Sequence, residues 1–317
     1  MSAAAAEPNV EVMTRTETSA PSTAPGLHPE RSPAPRLPVW ARVLLTILAL
    51  VVTPSGVALP YYALLMAAGI PLDEPGAVDP GLELLLFAGQ CVLTLGVYLL
   101  LSWALMRGLD RRPFRALGLA LNQRAAVGLA AGMGISLAAL LLSQGLSAVA
   151  GWGREMELPA FAAEPVWVIV LYMVLLAFVL QGIGEEVLFR GYLLRSLSRR
   201  PHLAVMVSAA AFMLPHLRSS GGQQSALEHV VYLTIPFAFG LSAGYLALAV
   251  GSVWAAIGIH AGFHVATAVG VAMGLSLEGP APWLTVAVLH GLAALVIARR
   301  IPASRYAQIR AEGPYGV

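Results

Sequence analysis

The chain has 317 residues, 58% of them apolar and only 11% charged, with a formal net charge of +2. A soluble domain carries about 25% charged residues, so this composition excludes an ordinary water-soluble enzyme and points to a polytopic membrane protein. All nineteen basic residues are Arg and they balance the acids, which gives no nucleic-acid footprint; the single Cys91 excludes a disulfide framework and a cysteine metal cluster.

Residues 1–38 are rich in Ala, Pro, Ser and Thr with no apolar run. They read as a disordered cytoplasmic tail and not as a secretory signal. Residues 39–300 then form the transmembrane domain, and 301–317 a cytoplasmic C-terminal tail. The fold class is an all-α membrane bundle of about eight helices, because the apolar residues come in blocks near the ~20 residues that cross a bilayer. These blocks run Val43–Ala67, Leu84–Met106, Ala125–Val149, Val166–Phe189, Leu203–Leu217, Val230–Val250, Val253–Met273 and Trp283–Ala298. The first is open to a break at "TPSG", Thr53 to Gly56, and the fifth is short.

Charge in the connections alternates. Arg36 and Arg42 precede the first block, Arg107, Arg111, Arg112, Arg115 and Arg124 follow the second, Arg195, Arg199 and Arg200 the fourth, and Arg299, Arg300, Arg305 and Arg310 the eighth. The intervening loops are acidic or neutral. By the positive-inside rule both termini are cytoplasmic, as in a multi-pass protein of a bacterial cytoplasmic membrane. Trp40, Trp103, Trp152, Trp167 and Trp283 near block ends suit interfacial anchoring.

Inside the fourth block, "FVLQGIGEEVLFRGYLL" carries Glu185, Glu186 and Arg190, the fixed charges lying well within the spans. Each ion costs about 2.5–3.5 kcal/mol to insert at mid-bilayer on insertion scales, so function or mutual pairing must explain it. Glu186 and Arg190 are i,i+4 and can pair on one helix, leaving Glu185 on an adjacent face. Glu185 stands fifteen residues before Arg200 and His216 sixteen after it, which places both roughly 20 Å above that turn. His260 and His264, also i,i+4, reach about 14 and 20 Å from the turn at Gly251. Pro215 can bend the fifth span where His216 must point. Gly182 and Gly184 permit close helix approach. His290 reads as packing, His202 and His229 as interfacial, and Phe212 and Phe263 as walls of the site.

"EEVLFRG", "FMLPH" and "HAGFH", in this order on successive spans across residues 165–275, resemble the CPBP family of CAAX-processing and bacteriocin-processing (Abi-like) intramembrane endopeptidases. The pattern is Glu-Glu-x-x-x-Arg, Phe-x-x-x-His and His-x-x-x-Asn; here His264 replaces the final Asn. The resemblance implies that Glu185 activates a water with help from His216, and that Glu186 and Arg190 form a supporting ion pair. It implies that His260 and position 264 stabilise the oxyanion or bind a metal, and that the cavity opens toward the cytoplasm. Two catalytic types stay open: a metalloprotease with Zn2+ on His216, His260 and His264, and a metal-free glutamate mechanism. The expected partners are a peptide or protein substrate and the lipid bilayer, without nucleic acid. Two other classes compete: a proton- or cation-coupled transporter, and a non-catalytic membrane scaffold of the same fold.

Overall fold

The computed structural model describes residues 35–72, 77–154, 165–275 and 277–315. Most of the N-terminal tail and the acids Asp73, Glu74, Glu155, Glu157 and Glu164 therefore lie outside the described residues. What is described is helical, with no strand among the described residues. The helices are α1 Val39–Ala67, α2 Pro80–Leu109, α3 Gln123–Ala150, α4 Val166–Leu194, α5 Pro201–Met213, α6 Ala226–Val250, α7 Trp254–Ala272, α8 Pro280–Arg300 and α9 Ala303–Glu312.

Seven of these are long and apolar enough to cross a membrane; α5, at 13 residues, is not among them. Its rise is about 20 Å, and the tighter turn Leu214–Arg218 that follows adds about 10 Å. The tight turn starts where Pro215 withholds its backbone donor. The anticipated break in α1 does not occur, since the helix runs unbroken through Pro54 and Pro60. Membrane helices tolerate proline when neighbours take up the freed carbonyls.

Helix α7 packs most extensively on α3, and small residues make that possible. Gly128 and Gly132 on α3 face Gly258 and Gly262 on α7, two Gly-x-x-x-Gly ridges in contact. A Cβ on Gly258 would lie 2.2 Å from the Leu129 carbonyl oxygen, and one on Gly132 2.4 Å from that of Ala255. Backbones this close gain dispersion and cross-helix hydrogen bonds, the forces that associate helices in lipid. Ser136 Oγ accordingly donates to the Ile259 carbonyl at 2.7 Å. The pairing fixes the rotation of α7, and with it the direction of His260.

The two ends of the bundle differ. At the arginine-rich end, Arg42 Nη1 donates to the Ser196 carbonyl at 3.0 Å, and the backbone N–H of Arg36 to Asp110 Oδ1 at 3.1 Å. Arg195 reaches the carbonyls of Ala116 and Gly251 at 3.3 and 3.4 Å. Burial, then the neighbouring Arg305, pull its guanidinium down to about 10. Gly118, at φ +82° with Arg195 packed where a side chain would begin, is required at its turn.

The segment expected as a C-terminal tail belongs to this end too. Ile301, Tyr306 and Ile309 are buried, the Gly313 carbonyl accepts from Ser198 Oγ at 2.7 Å, and Tyr315 donates its hydroxyl to Asp110. The alternating apolar residues of a short amphipathic helix give it a face to bury, which its overall polarity conceals.

At the opposite end Arg154 joins three loops. Its guanidinium pairs with Glu228 and donates to the Gly222 carbonyl at 2.7 Å, while its backbone N–H donates to the Glu278 carbonyl at 3.1 Å.

Candidate active site

Helix α4 is not uniform. Wide π-helical turns over Leu175–Gly182 and Val187–Leu194 flank a single α-turn, Ile183–Glu186, which carries both carboxylates. Wide turns of this kind recur at functional sites because they re-aim side chains that a regular helix would hold in register. Gly184 allows α2 to close on this turn, for a Cβ there would lie 2.5 Å from the Tyr98 ring.

The two glutamates have different surroundings. Glu186 is fully buried, and its Oε1 accepts from Arg190 Nη1 at 2.9 Å and from His260 Nδ1 at 3.0 Å. Arg190 is equally buried, with its guanidinium carbon 4.6 Å from the centre of the Phe212 ring. A desolvated cation–π contact of this sort is worth about 2 kcal/mol and compensates in part for the Nε and Nη2 donors, which have no hydrogen-bond partner. Gly240 on α6 leaves room for it: a Cβ there would sit 2.9 Å from Nη2. The sequence spacing anticipated the Glu186–Arg190 pair. It did not show that His260, from another helix, shares the same oxygen.

Glu185 takes no part in this cluster, since both Arg190 and His260 bond its neighbour. It lines a cavity of about 300 Å³ with Gln181, Pro215, His216, Arg218 and Ser219, closed on one side by α1 at Leu50, Val51, Pro54 and Ser55. A second cavity, about 330 Å³, is lined by His260 and His264 and shares Gln181, His216 and Ser219 with the first. The six candidate residues thus fall into two sets. Glu185, His216, His260 and His264 face cavities that meet at His216, whereas Glu186 and Arg190 lie behind them in the packing.

His216 Nδ1 lies 2.8 Å from the Phe212 carbonyl. A carbonyl only accepts, so Nδ1 carries the proton and Nε2 is left with a lone pair for the cavities. His260 is fixed in the same manner by the carboxylate of Glu186. Its ring stacks on that of His264 with centroids 5.2 Å apart. Fixed rings of this type are common among metal-binding histidines. Among the described residues, however, no three His, Cys, Asp or Glu side chains are grouped to hold a metal ion. This arrangement therefore does not fit the expected zinc site on His216, His260 and His264, and no chemical step is assigned to a metal.

Residues 167–266 match the family model for the type II CAAX prenyl endopeptidase, Rce1-like. That stretch is an Rce1-like domain. It contains all six candidate residues, and the match supports the resemblance to CPBP intramembrane proteases drawn from the three motifs. The Rce1-like family is a protease family. No curated protein matches the chain.

The sequence reading overlooked Gln181, which borders both cavities. Its position four residues before Glu185, on the same helix face, was the available signal. It also treated Phe212 as wall alone, where the ring supports Arg190. Phe239 is a further omission: it stands with centroids 5.3 Å from His260 and 5.8 Å from His290. His290 is fully buried, with Nδ1 3.0 Å from Ser242 Oγ, which places it behind the site rather than in it.

The cavities also lie on the side opposite to the one the resemblance implied. Arg218, Ser219, Ser220 and Tyr232, which line them, belong to the arginine-poor end that Arg154 joins.

Proposed function

We propose that the protein is an intramembrane endopeptidase in which Glu185 activates a water molecule. The observation that carries this reading is the division of labour between adjacent carboxylates: Glu186 is committed to Arg190 and His260, and Glu185 faces a cavity beside His216.

In this reading Glu185 takes one proton from a water held between its carboxylate and His216 Nε2. The hydroxide attacks the peptide carbonyl carbon, and the carbonyl oxygen becomes an oxyanion. His260, with both ring nitrogens protonated, and His264 donate to that oxyanion. Glu185 then passes its proton to the amide nitrogen, the C–N bond breaks, and a carboxylate and an amine depart. The Glu186–Arg190 pair acts at one remove, by holding the His260 ring through Nδ1. A donor set preorganised by buried charges in a water-poor site is the arrangement that stabilises developing charge most.

The test is cleavage by purified protein in proteoliposomes supplied with quenched membrane-anchored peptides. Glu185→Gln and His216→Ala are each expected to lose about 100- to 10,000-fold in rate, the usual contribution of a positioned base. A chelator is expected to leave wild-type cleavage intact. Full cleavage by Glu185→Gln would overturn the proposal, as would substrate-driven ion flux without any proteolysis. Loss of cleavage on chelation, restored by zinc, would move the base role from Glu185 alone to a metal-held water.

A further inference from the structure

We propose that the peptide enters from the arginine-poor, extracytoplasmic end of the bundle, so that the substrates are segments presented at the outer surface of the membrane. This inference rests on the endopeptidase reading for what happens to the peptide, and on charge and geometry for where it comes from.

The two ends of the molecule are told apart by arginine. Arg36, Arg42, Arg107, Arg111, Arg112, Arg115, Arg124, Arg195, Arg199, Arg200, Arg299, Arg300, Arg305 and Arg310 all belong to connections at one end. The hydrogen bonds from Arg42 to Ser196, from Arg195 to Ala116 and Gly251, from Arg305 to Leu248 and from Tyr315 to Asp110 gather those connections together. The other end has Arg154 and Arg218. A bias this strong in short loops fixes orientation: the arginine-rich end is cytoplasmic.

Depth then places the site. Helix α5 leaves the cytoplasmic end at Pro201 and rises about 20 Å to Met213, and His216 follows within the tight turn. Beyond it, Ser219 and Ser220 line the second cavity and lead into the loop whose Gly222 carbonyl bonds Arg154. On α1, which starts at the cytoplasmic end, the lining residues Pro54 and Ser55 are about 22–24 Å along the helix from Val39. Glu185 stands at a comparable height, fifteen residues above Arg200. With a hydrocarbon layer of about 30 Å, the catalytic carboxylate lies closer to the outer surface than to the inner one. The cytoplasmic side beneath it is filled by Phe189, Tyr192, Leu193 and Leu194, each essentially unexposed. A peptide arriving from the cytoplasm would have to displace that packing; one arriving from outside meets only the rim residues Arg218, Ser219 and Ser220.

Single-cysteine labelling tests this directly, because the native Cys91 is fully buried and gives no background. Ser220→Cys, Gln181→Cys and Ser304→Cys are expressed separately in intact cells. Each is treated with a small membrane-impermeant thiosulfonate before and after permeabilisation. The proposal expects Ser220→Cys and Gln181→Cys to react before permeabilisation, and the exposed Ser304→Cys only afterwards. Should Gln181→Cys fail to fold, Ser219→Cys, which lines both cavities, takes its place. The proposal is overturned if the cavity cysteines stay unlabelled from outside, or if Ser304→Cys is the one that reacts first. The labelling needs no catalysis, so repeating it in a Glu185→Gln background separates the two questions. Outside labelling of a protein that never cleaves would uphold the entry side and remove the endopeptidase reading.

Discussion

The arginine-rich end and the cavity end of this bundle use polar groups in opposite ways. At the first, backbone carbonyls, Ser196, Ser198 and Asp110 satisfy the donors of Arg42, Arg195 and Tyr315, and the chain termini of the bundle are held together. At the second, Glu185 and the Nε2 atoms of two histidines keep acceptor capacity in reserve and border cavities. Between them lies the buried Glu186–Arg190 pair, which belongs to both. Saturated polar groups contribute rigidity, and reactivity requires groups left unsaturated at a defined place. The molecule separates the two along its long axis.

Breaking the middle should hurt most. Removing Glu186 as Glu186→Ala leaves a fully buried guanidinium without its counter-charge, a loss of about 3–5 kcal/mol. Thermal unfolding in detergent measures it, and adding Arg190→Met in the same chain should recover part of the loss, because the orphaned charge goes with it. Gly240→Val probes the same pair from outside. Its Cβ would lie 2.9 Å from Arg190 Nη2 and 3.0 Å from the Ala209 backbone, so overpacking should cost about 1–3 kcal/mol. Cleavage should fall along with it, as His260 loses its anchor.

The arginine-rich end should respond least, and in stability alone. Tyr315→Phe deletes one hydrogen bond to Asp110, worth about 1 kcal/mol, with cleavage unaltered. That bond also has a pH signature. Burial, followed by Asp110, holds the Tyr315 hydroxyl in its protonated form well above the ordinary 10.0. As pH rises past 10 the unfolded chain loses this proton first, so the stabilisation is full below 10 and fades in stronger alkali. Alkaline unfolding curves of wild type and Tyr315→Phe should converge as the pH rises.

Much of this architecture was legible in the sequence, because a bilayer enforces long apolar runs and arginine marks one side of them. The i,i+4 spacing of Glu186 and Arg190 announced their pairing, and the matched offsets of Glu185 and His216 from Arg200 placed both at one depth. Other features were not legible, for identifiable reasons. The continuity of α1 through Pro54 depends on neighbours that accept its bend. The docking of α9 depends on a buried stripe of Ile301, Tyr306 and Ile309 too short to stand out from its charged residues. The bond from His260 to Glu186 follows from helix rotation, and rotation is set by glycine ridges on α3 and α7 whose pairing no local pattern reveals. The entry side was misjudged because motif resemblance carries side chains from one protein to another but not loop charge.

The central claim, that the unengaged carboxylate of Glu185 cuts peptide bonds, is tested most directly by mass-spectrometric profiling of protein termini. Membranes expressing wild type are compared with membranes holding equal amounts of folded Glu185→Gln. The account predicts a defined set of new N-termini that accumulate with the wild type and are absent with the variant. Identical terminus profiles from the two would contradict it.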